Sequence, residues 1–430
     1  EIRLSLVGSE MCIRDRNIQF LLMGDNQLAK KWRLGYTAGA NIMYLKYEQL
    51  SASVQNMLEK DNWIFNTGNK LTSALDDGHS RAMYSAFASA QLAYDEWLSL
   101  DLTARNDWSS TLPKKNNSFF YPSASLSWVF SDFMRSIDHK LPSWITFAKL
   151  RVSAAQVGKD PAPYNLYNVR KYQFEMGNRK PINNTIKLNA NLKPEIKTSY
   201  EVGVDMKFLD NRLGFDFTYY YNTTKNQAML VDASSPWTQQ WVNAGKINNT
   251  GVEFMLYGTP VKTRDFQFDI TANLAHNRST VKELADGVNR VYFAGDSNMP
   301  VKVGAVKGGK LGDIFANNLM QRDAQGRVII GDDGLPMAAN GDGNLEQYLL
   351  DHPIGNIQPD LLMSITPTFT YKGISLTAMF DMKFGGDIVS VSEGMATSVG
   401  TSERTAYRGE YKTVNGVQDW YMVCLLYTSD

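Results

Sequence analysis

The side chains that could do chemistry in this 430-residue chain are scattered rather than gathered. Its four histidines, His79, His139, His276 and His352, show none of the close spacing that sets two imidazoles around one metal ion. No G-x-S-x-G elbow, phosphate-binding P-loop or H-E-x-x-H string occurs, so nucleophilic, nucleotide-driven and zinc-hydrolase chemistry lack a seat. Carboxylates abound, yet nothing singles out a pair for glycoside hydrolysis. The charged groups that do recur follow a different rule. Glu201, Asp205, Asp216, Glu253, Asp269, Asp381 and Lys383 are each flanked on both sides by apolar or aromatic residues. That spacing suits the lining of a polar surface better than a reaction centre. The reading is a non-enzymatic protein with no cofactor.

Elements that hold such residues must alternate. Leu98, Leu100, Leu102 and Ala104 oppose Ser99, Asp101, Thr103 and Arg105; Phe266, Phe268, Ile270, Ala272 and Leu274 oppose Gln267, Asp269, Thr271 and Asn273. The same period of two marks candidate strands at 17–24, 32–44, 81–94, 96–106, 119–131, 145–156, 198–208, 212–222, 250–258, 266–276, 361–371 and 374–384. The 145–156 stretch fits less cleanly, because Phe147 shares a face with Lys149 and Arg151. Most are longer than the common soluble strand of about 5–6 residues and near the length that a tilted membrane strand needs.

The connections alternate too. Those at 25–31, 95, 209–211, 259–265 and 372–373 are short, whereas 49–80, 157–197, 223–249 and 277–360 are long and rich in Gly, Asn, Asp and Pro. In an antiparallel meander this puts short turns at one end and long loops at the other, as in outer-membrane barrels. A medium segment, 132–144, falls at the short-turn end, and 132–139 is expected to form a helical turn. Aromatic residues such as Trp97, Trp108, Phe120, Trp128, Trp144 and Tyr221 crowd strand ends, as a membrane girdle requires. A soluble sandwich or propeller would explain alternation alone, but not strand length, one-sided loops or the missing repeat near 40 residues.

Composition narrows the classes further. With 44 basic and 44 acidic residues, charge points to no nucleic-acid partner. No run of about 18 apolar residues exists, which excludes a helical membrane span but not a β-barrel. Both cysteines, Cys12 and Cys424, lie in end segments unlike the rest, and nothing suggests that they meet. Residues 1–16 and 423–430 resemble translated sequencing adapter, which leaves 17–422 as the natural portion. Residue 1 is not Met and no signal peptide is visible, so the chain is expected to be an internal fragment.

Several ordered motifs stand out: Arg105-Asn106-Asp107-Trp108-Ser109-Ser110, then Tyr121-Pro122-Ser123 with Trp128. Further on come Asn191-Leu192-Lys193-Pro194-Glu195 leading into Tyr200-Glu201-Val202-Gly203-Val204-Asp205, Asn243-Ala244-Gly245-Lys246-Ile247 leading into Thr250-Gly251-Val252-Glu253, and Gly355-Asn356 with Pro359-Asp360. In this order they resemble motifs of the SusC/RagA group of TonB-dependent outer-membrane transporters of Bacteroidetes. The resemblance implies a barrel of about 22 strands, of which this chain holds about half. It implies a plug domain, absent here, through which the TonB complex acts, a SusD-like surface lipoprotein as lid, and glycan or peptide fragments as cargo. The fold expectation is therefore all-β, a partial transmembrane antiparallel barrel in contact with outer-membrane lipids. An adhesin, or a secreted β-protein that binds glycans without transport, is the alternative.

Three sets of residues are candidates for function within that frame. Asn340, Asp342 and Asn344 sit where family members carry a calcium-like loop; Ala338 and Leu349 replace its opening and closing carboxylates, so a solvated turn is the better reading. Loop aromatics Trp237, Trp241, Tyr292 and Phe293 could stack on sugar rings or peptide side chains, or pack the loops and the lid. Glu201, Asp205, Asp216, Glu253, Asp269, Asp381 and Lys383 are read as lumen-facing.

Overall fold

The computed structural model describes residues 5–57, 68–168, 171–175, 178–182, 185–243, 245–285, 287–294, 301–317, 319–323, 325, 327–332, 337–339, 345–398, 401–403, 411–414 and 417–420. Two units divide it: Glu1–Ser143, Phe147–Val204 and Thr224–Ala244 form the first, and the remainder the second. Among the described residues, thirteen strands join in one ladder whose order follows the chain, and none pairs back to the first.

The first unit carries β1 (Ser5–Ala29), β2 (Trp32–Met57), β3 (Gly68–Tyr94), β4 (Leu98–Ser109), β5 (Ser118–Val129) and β6 (Ile145–Lys159), each antiparallel to the one before. A helix, α1 (Phe130–Ser136), follows β5 where a helical turn was expected. In the second unit Lys246–Lys262, Phe266–Glu283 and Leu361–Tyr371 pair in turn. Backbone chemistry explains the tight turns. Asp95 and Glu96 have φ of 48° and 63°, and Lys372 and Gly373 have 46° and 86°, the doubly positive geometry whose twist matches that of the flanking strands.

Three expectations need correction. Segment 49–80 is not a loop throughout: β2 and β3 stay paired from Trp32↔Tyr94 to Met57↔Gly68. Once a hairpin is in register, each further step satisfies two backbone polar groups whether or not the side chains alternate in polarity. Segment 277–360 begins as strand, to Glu283, and then builds a small sheet of its own from Arg290–Ala294, Val301–Val306, Asp313–Ala316 and Gly355–Asn356. The expected strand 374–384 is broken into Ile374–Thr377 and Phe380–Phe384, both paired to Leu361–Tyr371. Pro367 is the cause: its carbonyl accepts from the Ala378 N–H at 3.2 Å, but proline has no N–H to return.

Fully buried apolar residues are absent from the middle of the apolar face among the described residues. They gather instead near the loops: Leu112, Phe119 and Leu192 in the first unit, and Val281, Ala305, Ile314 and Phe315 in the second. On the sheet, Phe20, Leu22, Leu102, Leu126 and Val152 stay exposed, from 69% at Phe20 to 42% at Val152.

Candidate functional site: the polar face and its loop anchors

Register decides which side chains share a surface. In the first unit the pairs Leu34↔Leu92, Leu92↔Leu100, Leu100↔Leu126 and Leu126↔Val152 run across one face. One residue on, Arg33↔Ala93, Ala93↔Ser99, Ser99↔Ser127 and Ser127↔Arg151 run across the other. Lys149 and Arg151, awkward in the sequence, thus fall on the polar side, opposite Val129 and Ser127. The second unit repeats the division. Phe254↔Leu274↔Met363↔Met382 lie on the apolar face, whereas Asn273↔Ser364↔Asp381 lie on the polar face. Rings line the apolar side there as well: Phe208, Phe215 and Phe254 follow one another at 6.0 Å, and Phe268 stacks on Phe369 at 4.7 Å.

At the loop end of the first unit the polar face closes into a buried network that the sequence reading did not single out as a site. Arg105 donates to Asp107 at 2.8 Å and to Ser85 at 2.9 Å, while the Tyr121 hydroxyl donates to the second Asp107 oxygen at 2.5 Å. Beside it, Asp160 accepts from Arg81 at 2.6 Å, from Ser109 at 2.5 Å and from Thr111 at 2.8 Å. The side chains of Asp107 and Asp160 are 5% and 4% exposed. Carboxylates so deeply buried are tolerable only when each oxygen has a donor, as here. The Arg105-to-Ser110 motif was a clue, since its alternate polar residues point into this network.

The other motifs anchor loops. Leu192 is wholly buried against Leu112 and Phe119, and the Asn116 amide donates to the carbonyls of Asn191 and Leu192. Asn243 acts as a piece of false backbone: its oxygen accepts from Lys193 N–H at 2.7 Å, and its amide donates to the Lys193 and Asn226 carbonyls. Two motifs fifty residues apart in sequence are thereby tied together.

The candidate residues fall in different places. Glu253, Asp269, Asp381 and Lys383 occupy polar-face register positions in the second unit. Asp269 accepts from Thr259 at 2.6 Å and from Gln267 at 2.7 Å. Asp205 and Asp216 are half-buried and Glu201 is exposed, and all three alternate with apolar neighbours. Trp241 lies half-buried on Gln239–Asn243, which pairs with Ala228–Asp232, and Trp237 sits in the turn between these strands. Tyr292 belongs to the other unit's small sheet, edge-on to Phe315, with Arg290 and Lys302 over its ring at 5.5 and 5.0 Å. Phe293 beside it is 48% exposed. Asn340, Asp342 and Asn344 lie outside the described residues.

A two-faced antiparallel sheet with an uncovered apolar side, one-ended short turns and loops pinned at the opposite end defines a wall of the outer-membrane β-barrel class. Residues 13–308 match the family described as TonB dependent receptor-like, beta-barrel, and the chain belongs to that family. Similar proteins include the TonB-dependent receptor SusC of Bacteroides thetaiotaomicron, 27% identical over 330 residues that make up 71% of this chain and 32% of SusC. TonB-dependent receptor P3 of Formosa agariphila is 24% identical over 72% of the chain and 32% of its own length. The chain thus spans about a third of these relatives. Among solved structures, the RagAB peptide transporter shares the fold with a TM-score of 0.72 at 20% identity, covering 91% of this chain and 44% of that one. The family is one of outer-membrane receptors and transporters, and the chain is an outer-membrane protein.

Proposed function

We propose that this chain is wall and loops of an active transporter that imports glycan or peptide fragments together with a SusD-like surface lipoprotein, driven by the TonB complex through a plug domain. The observation that carries the reading is the uncovered apolar face. Side chains such as Phe20, Leu22 and Leu102 remain in the open, and no second protein layer packs over them among the described residues. In water a contiguous face of this kind would be a liability; in a membrane it meets acyl chains. The polar face then turns to a lumen, where Glu201, Asp205, Asp216, Glu253, Asp269, Asp381 and Lys383 line the path. The long loops, with Trp237, Trp241, Tyr292 and Phe293, meet cargo or lid. Residues 17–422 are the working portion, flanked by adapter-like ends.

The full-length gene product tests this. It should partition with detergent, migrate heat-modifiably and co-purify with a neighbouring lipoprotein, and uptake of its cargo should stop when TonB is removed. An adhesin would keep the first two properties and lose the last, and a secreted soluble β-protein would show none of them.

A further inference from the structure

One stretch of the apolar face in the first unit is hollow rather than flat. The chain leaves β5 at Val129 and enters α1, whose Phe133 packs against Trp97 at 4.8 Å and Trp128 at 5.7 Å between ring centroids. These rings close one end of a groove of about 380 Å³ floored by Leu126, Leu150 and Val152. Register sets Leu126 beside Val152 and Trp128 beside Leu150, all on the apolar face. The volume is in the range of small-molecule sites, roughly 300–1,000 Å³. Yet no charged side chain lines it, so a sugar, peptide or nucleotide would find no ionic partner.

We infer that this groove holds one acyl chain of a membrane glycerophospholipid, in the leaflet beside the short turns. The inference rests on reading the apolar face as the lipid-facing one. Continuity with that face selects the occupant: exposed Leu126 and Val152 belong both to the open surface and to the groove floor. Depth agrees. The ring cluster runs on from Trp97 to Tyr94 at 5.4 Å and from Tyr94 to Trp32 at 4.8 Å, a band of the kind that marks the membrane–water boundary. A chain seated here would be held in place, whereas one on the flat sheet exchanges freely.

The test uses the full-length protein in vesicles of phosphatidylethanolamine and phosphatidylglycerol, doped with a phosphatidylethanolamine that carries a diazirine in one acyl chain. After irradiation, labelled peptides are mapped by mass spectrometry. Labelling should concentrate on residues 97–98, 126–133 and 150–152. Val152→Trp, which fills the groove, should lower it about tenfold while labelling around Leu102 and heat-modifiable migration persist, because each methylene displaced weakens binding severalfold. Leu126→Phe provides a second filling variant if the first fails to fold. Label spread evenly over the apolar face would overturn the groove and leave the lipid-facing reading standing. No label anywhere on that face would overturn both. Cross-links into the groove from a second copy of the chain would overturn the acyl-chain assignment.

Discussion

Single side chains matter most where charge is buried. Asp160 holds Arg81, Ser109 and Thr111 with almost no exposure, so Asp160→Ala strands the guanidinium and two hydroxyls. Breaking such a pair typically costs about 3–5 kcal/mol, and that loss should appear in denaturant unfolding of the full-length protein in lipid. Replacing Asp132, 36% exposed and paired in the open with Arg135, 67% exposed, should change stability by less than about 1 kcal/mol in the same assay. In the loops, the backbone N–H of Arg327 holds the Asp323 carboxyl below its usual range, helped by the Arg327 side chain and the Gln325 N–H. A depressed carboxylate stabilises the turn above its ordinary pKa of about 3.9 and ceases to do so as pH falls through the lower folded value. The Arg327 amide should therefore keep its position in an NMR titration down to pH 4 or so, then shift; Asp323→Asn should remove that transition. A shift already complete near neutral pH would contradict it.

Strands impose a rule that single residues do not reveal. On β4, Leu102 and Thr103 are neighbours in sequence but occupy opposite faces, with Leu102 across from Ala90 and Thr103 across from Ser89. Leu102→Lys puts an ammonium against hydrocarbon and should cost about 2–4 kcal/mol in a bilayer, whereas Thr103→Lys should cost little. Equal effects, measured by reversible unfolding into vesicles, would mean that the two faces meet the same solvent. Pro367 shows the opposite lesson. Its missing N–H breaks the neighbouring strand at Ala378 and Met379, although the alternation of 374–384 lapses in sequence only at Met379. Periodicity reports which face a side chain prefers, not whether each backbone group has a partner.

At the scale of the whole molecule the chain spans about a third of its curated relatives, and among the described residues its ladder runs in chain order with no strand pairing back to β1. Residues 17–422 expressed alone should give no sealed, heat-modifiable pore in planar-bilayer conductance, whereas the full-length protein should; a stable closed channel from this piece would refute that. What the chain's linear order settled was the class of wall. Alternation at positions such as 98–105 and 266–274, short turns at 95 and 372–373, and the ordered motifs needed only local geometry, because a strand's two faces are fixed by its own period. Folding in three dimensions decided the rest. Arg81 meets Asp160 across 79 residues, Lys193 meets Asn243 across 50, and a helix lays Phe133 on Trp97 and Trp128. No spacing announces these contacts, since they depend on which strands become neighbours and where loops return, and that is set by packing over the whole chain.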